Sequence, residues 1–133
     1  MKIIPTKVHG FIDYLTGGLL IAAPWLFGFA DNTAATYVPV VLGIGAILYS
    51  LLTNYEMGAA KVISMRTHLL LDIMSGVLLA ASPWLFGFDD RVFLPHLVVG
   101  LMEIVVSLLT ERSPRHAAIS HHAHTNRTHH QGA

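Results

Sequence analysis

Two histidines and two aspartates stand at matched spacing: His9-x-x-x-Asp13 and His68-x-x-x-Asp72. Residues four apart on a helix share a face, about 6 Å apart along its axis. Both pairs lie at the start of long apolar runs, where a carboxylate costs roughly 2.5–3.5 kcal/mol unless it faces an interior and finds a partner. Glu103 lies in a third such run, on a face with His96, Gly100 and Ser107. Counted from the chain ends of their helices, Asp13, Asp72 and Glu103 fall at one depth, with His9 and His68 one turn nearer the end. If their helices face each other, His9, Asp13, His68 and Asp72 converge, with Glu103 as a fifth group that has only Ala46 as its counterpart.

Three chemistries suit this set. The first is a structural clasp, each imidazole donating to a carboxylate, with Lys7 and Arg66 reaching in for charge balance. The second is a ligand site: two histidines with carboxylates from facing helices bind metal in helical bundles, and two histidines at equal depth can hold a haem. The third is proton or cation movement, the common use of intramembrane carboxylates and histidines. Against a relay, the opposite halves of these helices offer Trp, Phe, Leu and Gly and no polar ladder. The clasp is the leading expectation. Tyr14, Tyr37, Tyr49 and Tyr55 read as packing and interface anchors, and His96 as an interfacial histidine near the outer end of its helix.

The elements that must position these groups come from an internal repeat. Lys7-Val-His9-Gly-Phe-Ile-Asp13-Tyr-Leu-Thr-Gly17 returns 59 residues later as Arg66-Thr-His68-Leu-Leu-Leu-Asp72-Ile-Met-Ser-Gly76. Ala23-Pro24-Trp25-Leu26-Phe27-Gly28-Phe29 returns as Ser82-Pro83-Trp84-Leu85-Phe86-Gly87-Phe88. Gly43 and Ser50-Leu-Leu-Thr53 return as Gly100 and Ser107-Leu-Leu-Thr110 at an offset of 57, so the second outer turn is two residues shorter. Each copy is one supersecondary unit stacked on its twin, here a helical hairpin. Helix 1 is expected from Pro5 or Thr6 to about Ala23, where Pro24 interrupts the ladder. Helix 2 is expected after 31–36 and up to Thr53. Helix 3 is expected to be capped by Ser64 or Thr67, and helix 4 to run from the turn at 89–91 to Thr110. Gly17 and Gly76 continue the His–Asp stripes and admit a close neighbour.

Composition sets the surroundings. Of 133 residues 53% are apolar and 12% charged, and mean hydropathy is +0.58. Charge is nearly absent from 10–29, 37–53, 69–88 and 92–110, each close to the ~20 residues that cross a bilayer as a helix. A water-soluble bundle would need polar outer stripes instead. A zero net charge gives no field for nucleic acid. The lack of cysteine removes disulfides, thiolate chemistry and iron–sulfur clusters. No serine or threonine has the neighbours of a nucleophile–base–orienter set, and no Gly-x-Gly pattern follows a strand, so the reading leans away from an enzyme. Lys2 and Lys7 before an apolar run could open a signal peptide, but Asp13 within it and the mid-chain copy argue for a retained helix. With both termini inside, the inner segments hold Lys2, Lys7, Lys61, Arg66, Arg112, Arg115 and Arg127 against Arg91 outside, so the positive-inside rule places both termini in the cytoplasm. The hairpins then form a parallel repeat, with Trp25 and Trp84 at the outer interface.

Six of nine histidines lie beyond Ser113 in a stretch with no core-forming pattern, which predicts a disordered cytoplasmic tail over 113–133. The paired Ala/Ser-Pro-Trp motifs (Ala23, Pro24, Trp25; Ser82, Pro83, Trp84), each preceded by His-x-x-x-Asp-x-x-x-Gly, resemble the SPW-repeat family of small bacterial membrane proteins. The resemblance covers about 5–112 and implies a four-helix integral membrane protein, leaving activity open. The expectation is an all-α, four-helix transmembrane bundle of two tandem hairpins (1–112; copies about 5–55 and 64–112) in the bacterial plasma membrane. Its expected role is a non-enzymatic structural or interaction component. The alternatives are a metal- or haem-binding membrane protein and a small proton-coupled carrier or channel subunit. Expected partners are the lipid bilayer, and copies of itself or other membrane proteins.

Overall fold

The computed structural model describes residues 2–114 and is all-α. Its helices are α1 (Thr6–Leu26), α2 (Ala34–Leu52), α3 (Met65–Leu85) and α4 (Leu94–Leu109). All but the first two residues of the expected tail lie outside the described range. The starts follow local chemistry. Pro5 precedes α1, Thr33 Oγ1 accepts the Ala35 N–H, Ser64 Oγ accepts the Thr67 N–H, and a proline stands in the first turn of α4. Helix α2 begins at Ala34, inside the segment expected to be turn, because the Thr33 cap fixes its start.

Pro24 does not end α1, contrary to expectation. The helix runs on to Leu26, and α3 likewise runs through Pro83 to Leu85. The reason lies in the cap that follows. Gly28 (φ 71°) and Gly87 (φ 66°) take the left-handed conformation that glycine adopts without a Cβ penalty. That turn brings the Phe29 N–H to the Pro24 carbonyl (2.8 Å) and the Phe88 N–H to the Pro83 carbonyl (2.8 Å). This is a Schellman closure. The repeated Pro-Trp-Leu-Phe-Gly-Phe run is therefore a helix-ending device in which proline supplies the accepting carbonyl.

Helices α1 and α2 form one hairpin and α3 and α4 the other. Packing of α2 on α3 and of α1 on α4 closes the bundle, leaving α1 and α3 diagonal. Within each hairpin the helices cross at paired glycines. A Cβ at Gly43 would sit 2.7 Å from the Gly17 carbonyl oxygen, and one at Gly100 would sit 2.5 Å from that of Gly76. At the chain-terminal end each hairpin is tied by extended backbone. The Ile3 and Ile4 N–H groups donate to the Leu109 carbonyl, and those of Val62 and Ile63 to Leu52. The segment before each first helix thus closes the end of a second helix: α4 for copy one, α2 for copy two. At the opposite end Arg91 pairs with Asp31 across the two outer turns. The Thr33 hydroxyl and N–H, with that guanidinium, hold the Asp31 carboxyl down at about 2.

The distribution of polarity is inverted. His9, His68, His96, Thr6, Ser50, Thr53, Ser107 and Thr110 are all at most 2% exposed, while Phe11, Leu15, Val41, Met74, Val98 and Leu108 are each more than half exposed. Helices α2 and α3 are long and apolar enough to cross a membrane; α4 is apolar and shorter.

Candidate functional site

Across the diagonal between α1 and α3, the two His–Asp pairs meet and exchange partners. His9 Nε2 lies 2.9 Å from Asp72 Oδ2 and 3.2 Å from Asp13 Oδ1. His68 Nε2 lies 2.8 Å from Asp13 Oδ2 and 3.3 Å from Asp72 Oδ2. The four residues converge as expected, but each histidine sits nearer the aspartate of the other repeat than the one on its own helix. The cause is geometric. With α1 and α3 opposed, a side chain projecting inward from one helix reaches the other's carboxylate as readily as it can fold along its own. The two imidazoles meet edge to face, ring centres 5.4 Å apart.

The remaining ring nitrogens are fixed from the hairpin ends. His9 Nδ1 is 2.8 Å from Thr110 Oγ1, and His68 Nδ1 is 2.8 Å from Thr53 Oγ1. Each threonine hydroxyl already donates to the carbonyl four residues back, Val106 or Tyr49. It can therefore only accept from the imidazole, which places an N–H on Nδ1 in both histidines. Nε2 then faces a carboxylate oxygen, and two lone pairs do not make a hydrogen bond. One proton must lie between each Nε2 and the carboxylates it faces. Four groups share two protons, and the cluster is formally neutral whichever atom carries them, a condition suited to a dry interior.

The second helices complete the shell unevenly. Tyr49 Oη donates to Asp72 Oδ1 at 2.6 Å and Ser107 Oγ to Asp72 Oδ2 at 3.2 Å, whereas Asp13 receives only the longer Ser50 contact at 3.4 Å. Tyr49 thus does more than pack. Lys7 and Arg66 are exposed and take no part in the cluster's ion pairs, because the histidines already supply the balancing protons. Glu103 joins His9, Asp13, Tyr49, Asp72 and Ser107 around a cavity of about 10 Å³; its Oε2 is buried without a hydrogen-bond partner among the described residues. The direct Nε2–carboxylate contacts fill the space between the two histidines, which as arranged leaves no slot for a porphyrin there.

His96 stands apart from this group. It is buried within the bundle. Its Nε2 donates to the Ala35 carbonyl at 2.9 Å, and its ring packs between Phe29 and Phe88. It ties α4 to the start of α2 at the end where Pro24 and Pro83 are buried, Ser82 Oγ bonds the Leu79 carbonyl, and Trp25 and Trp84 point outward. Sequence reasoning did not assign Thr53, Thr110 and Tyr49 to the site. The signal for the threonines was present, since Ser-Leu-Leu-Thr ends the second helix of both copies.

The family model described as the SPW repeat domain matches residues 7–110. The chain belongs to the SPW repeat family. No curated protein and no solved structure matches it.

Proposed function

We propose that this member of the SPW repeat family is an integral membrane protein, a non-enzymatic component whose two hairpins are locked by the His9–Asp72 and His68–Asp13 exchange. One observation carries the reading: titratable and hydroxyl side chains are buried while large apolar side chains face outward. In water such a surface would drive association. In lipid it is the stable arrangement, and an intramembrane carboxylate then has to face the interior and be paired. The Trp25 and Trp84 rings, exposed beside the helix-ending caps, suit the headgroup level. Lys2, Lys7, Lys61, Arg66 and Arg112 share the chain-terminal end of the bundle and Arg91 the other, which favours cytoplasmic termini in a bacterial plasma membrane.

The lock explains why both copies carry the same polar set. Each hairpin alone would hold a His–Asp pair with a histidine nitrogen facing no threonine, because Thr110 serves His9 and Thr53 serves His68. Only the pair of hairpins satisfies every group.

Fractionation and reporter fusions test the proposal. The protein should stay with membranes washed in alkaline carbonate. Fusions after residue 60 and at the C-terminus should report cytoplasm, and one at Asn32 should report periplasm. Release by carbonate would overturn membrane insertion, and a periplasmic C-terminus would overturn the orientation.

A further inference from the structure

We propose that the exchange cluster is also a binding site for one divalent transition-metal ion of the zinc class, held by His9 Nε2, His68 Nε2 and one oxygen each of Asp13 and Asp72. The proposal rests on the cluster described above and adds a ligand to it. These four ligand atoms lie within 4.8 Å of one another. The four His–Asp contacts measure 2.8–3.3 Å, Asp72 meeting both histidines through Oδ2 and Asp13 meeting His9 through Oδ1 and His68 through Oδ2. Zinc–nitrogen and zinc–oxygen bonds of about 2.0–2.2 Å arranged tetrahedrally put neighbouring ligands roughly 3.3–3.6 Å apart. The His–Asp contacts need open by only a few tenths of an ångström, while ligand atoms that now stand up to 4.8 Å apart close in around the ion.

The outer shell is already that of a metal site. Ligating histidines donate their second ring N–H to a fixed acceptor, which sets the tautomer and aims the other nitrogen. Thr110 and Thr53 do this for His9 and His68, with their hydroxyl protons committed elsewhere. Tyr49 fixes the non-ligating oxygen of Asp72 in the same way. Two imidazoles and two carboxylates, with no thiolate, suit a borderline divalent ion. Charge also balances: the incoming dication displaces the two shared protons to solvent, and the buried cluster stays neutral. Glu103, whose Oε2 on the adjoining cavity has no hydrogen-bond partner among the described residues, offers a nearby acceptor as those protons leave.

The test uses the full chain in detergent with the tail histidines (His116, His121, His122, His124, His129 and His130) changed to serine, so that they cannot bind metal themselves. Cobalt(II) is titrated as the probe, followed by X-ray absorption of the zinc form. The expected result is one equivalent of Co²⁺ with the intense visible bands of a tetrahedral site, and a zinc shell of nitrogen and oxygen that includes two imidazoles. His68→Asn should abolish the bands, and Thr53→Val, which leaves all four ligands in place, should weaken binding roughly 10–100-fold. Absence of stoichiometric cobalt, or binding unchanged by His68→Asn, would overturn the metal site. Melts of the metal-free protein separate that result from failure of the lock. Coupling between His9 and Asp72 without cobalt binding leaves the clasp standing alone, whereas loss of both removes the cluster itself.

Discussion

His9 Nε2 lies 2.9 Å from Asp72 Oδ2, a contact between residues 63 positions apart in sequence and on diagonal helices. Its own-helix neighbour Asp13 is farther, at 3.2 Å. The two hairpins are therefore coupled through this pair, and a double-mutant cycle should detect it. In thermal or denaturant unfolding in detergent, His9→Ala with Asp72→Asn should show a coupling of about 0.5–3 kcal/mol, larger than that of His9→Ala with Asp13→Asn. Strict additivity for the cross pair would rule out the lock.

The two aspartates should not respond alike, although the repeat makes them formally equivalent. Asp72 accepts from Tyr49 and Ser107 as well as from histidine, whereas Asp13 has the weaker Ser50 contact. Each Asn variant loses a charge-assisted hydrogen bond of roughly 1.5–3 kcal/mol. Asp72→Asn should cost more than Asp13→Asn, and Tyr49→Phe should narrow the gap between them. Equal costs in the wild-type background would mean that Tyr49 adds nothing at this carboxylate.

Thr53→Val and Thr110→Val keep side-chain shape and remove the acceptor for a buried Nδ1–H. Each should lower stability by about 1–3 kcal/mol, the cost of stranding that donor, while Thr→Ser at either position retains most of it. Imidazole nitrogen NMR provides an independent check. Wild-type His9 and His68 should both carry the proton on Nδ1. Nδ1 unprotonated in either histidine would contradict the accepting role of the threonines.

Much of this was legible in the sequence, because the repeat dictates two hairpins and helical spacing dictates which residues share a face. Convergence of His9, Asp13, His68 and Asp72 followed from those two facts only on the condition that α1 and α3 face each other. Which histidine binds which aspartate did not, since an i, i+4 spacing is equally compatible with a contact along one helix or across to another. Thr53 and Thr110 were visible as repeated residues, but their partners lie on the opposite hairpin. His96 depends likewise on the Ala35 carbonyl of another helix. Pro24 misled for a local reason. A proline in the last turn forfeits one hydrogen bond, and its own carbonyl then accepts two: the Phe29 and Ala30 N–H groups.

The outer turns carry a pH-dependent tie. The Asp31 carboxyl is held at about 2, below its ordinary 3.8, first by the Thr33 hydroxyl and also by Arg91. A depressed value means that this contribution is complete above the ordinary value and is lost as pH falls through about 2. A carbon NMR titration of the Asp31 carboxyl should give a midpoint near 2, and Arg91→Gln should raise it. A midpoint in the ordinary range with Arg91 intact would show that the turns are not joined there.

Gly43 and Gly45 lie two residues apart on α2 and should respond oppositely to alanine. At Gly43 the new Cβ would meet the Gly17 carbonyl oxygen at 2.7 Å, the Leu20 Cβ at 3.0 Å and the Ile21 side chain at 3.1 Å. The carbonyl belongs to the facing helix and cannot turn aside, so α1 and α2 must separate. Overpacking of this kind costs about 1–3 kcal/mol. At Gly45 no heavy atom lies within 4 Å of the built Cβ. There alanine adds helix propensity without a clash, so it should be neutral or stabilising by up to about 1 kcal/mol. The same contrast should reach the cluster. Separation of α1 from α2 moves Asp13 away from Ser50, so Gly43→Ala should also weaken the His68–Asp13 coupling, while Gly45→Ala leaves it unchanged. Equal melting temperatures for the two variants would show that the hairpin does not cross at Gly17 and Gly43.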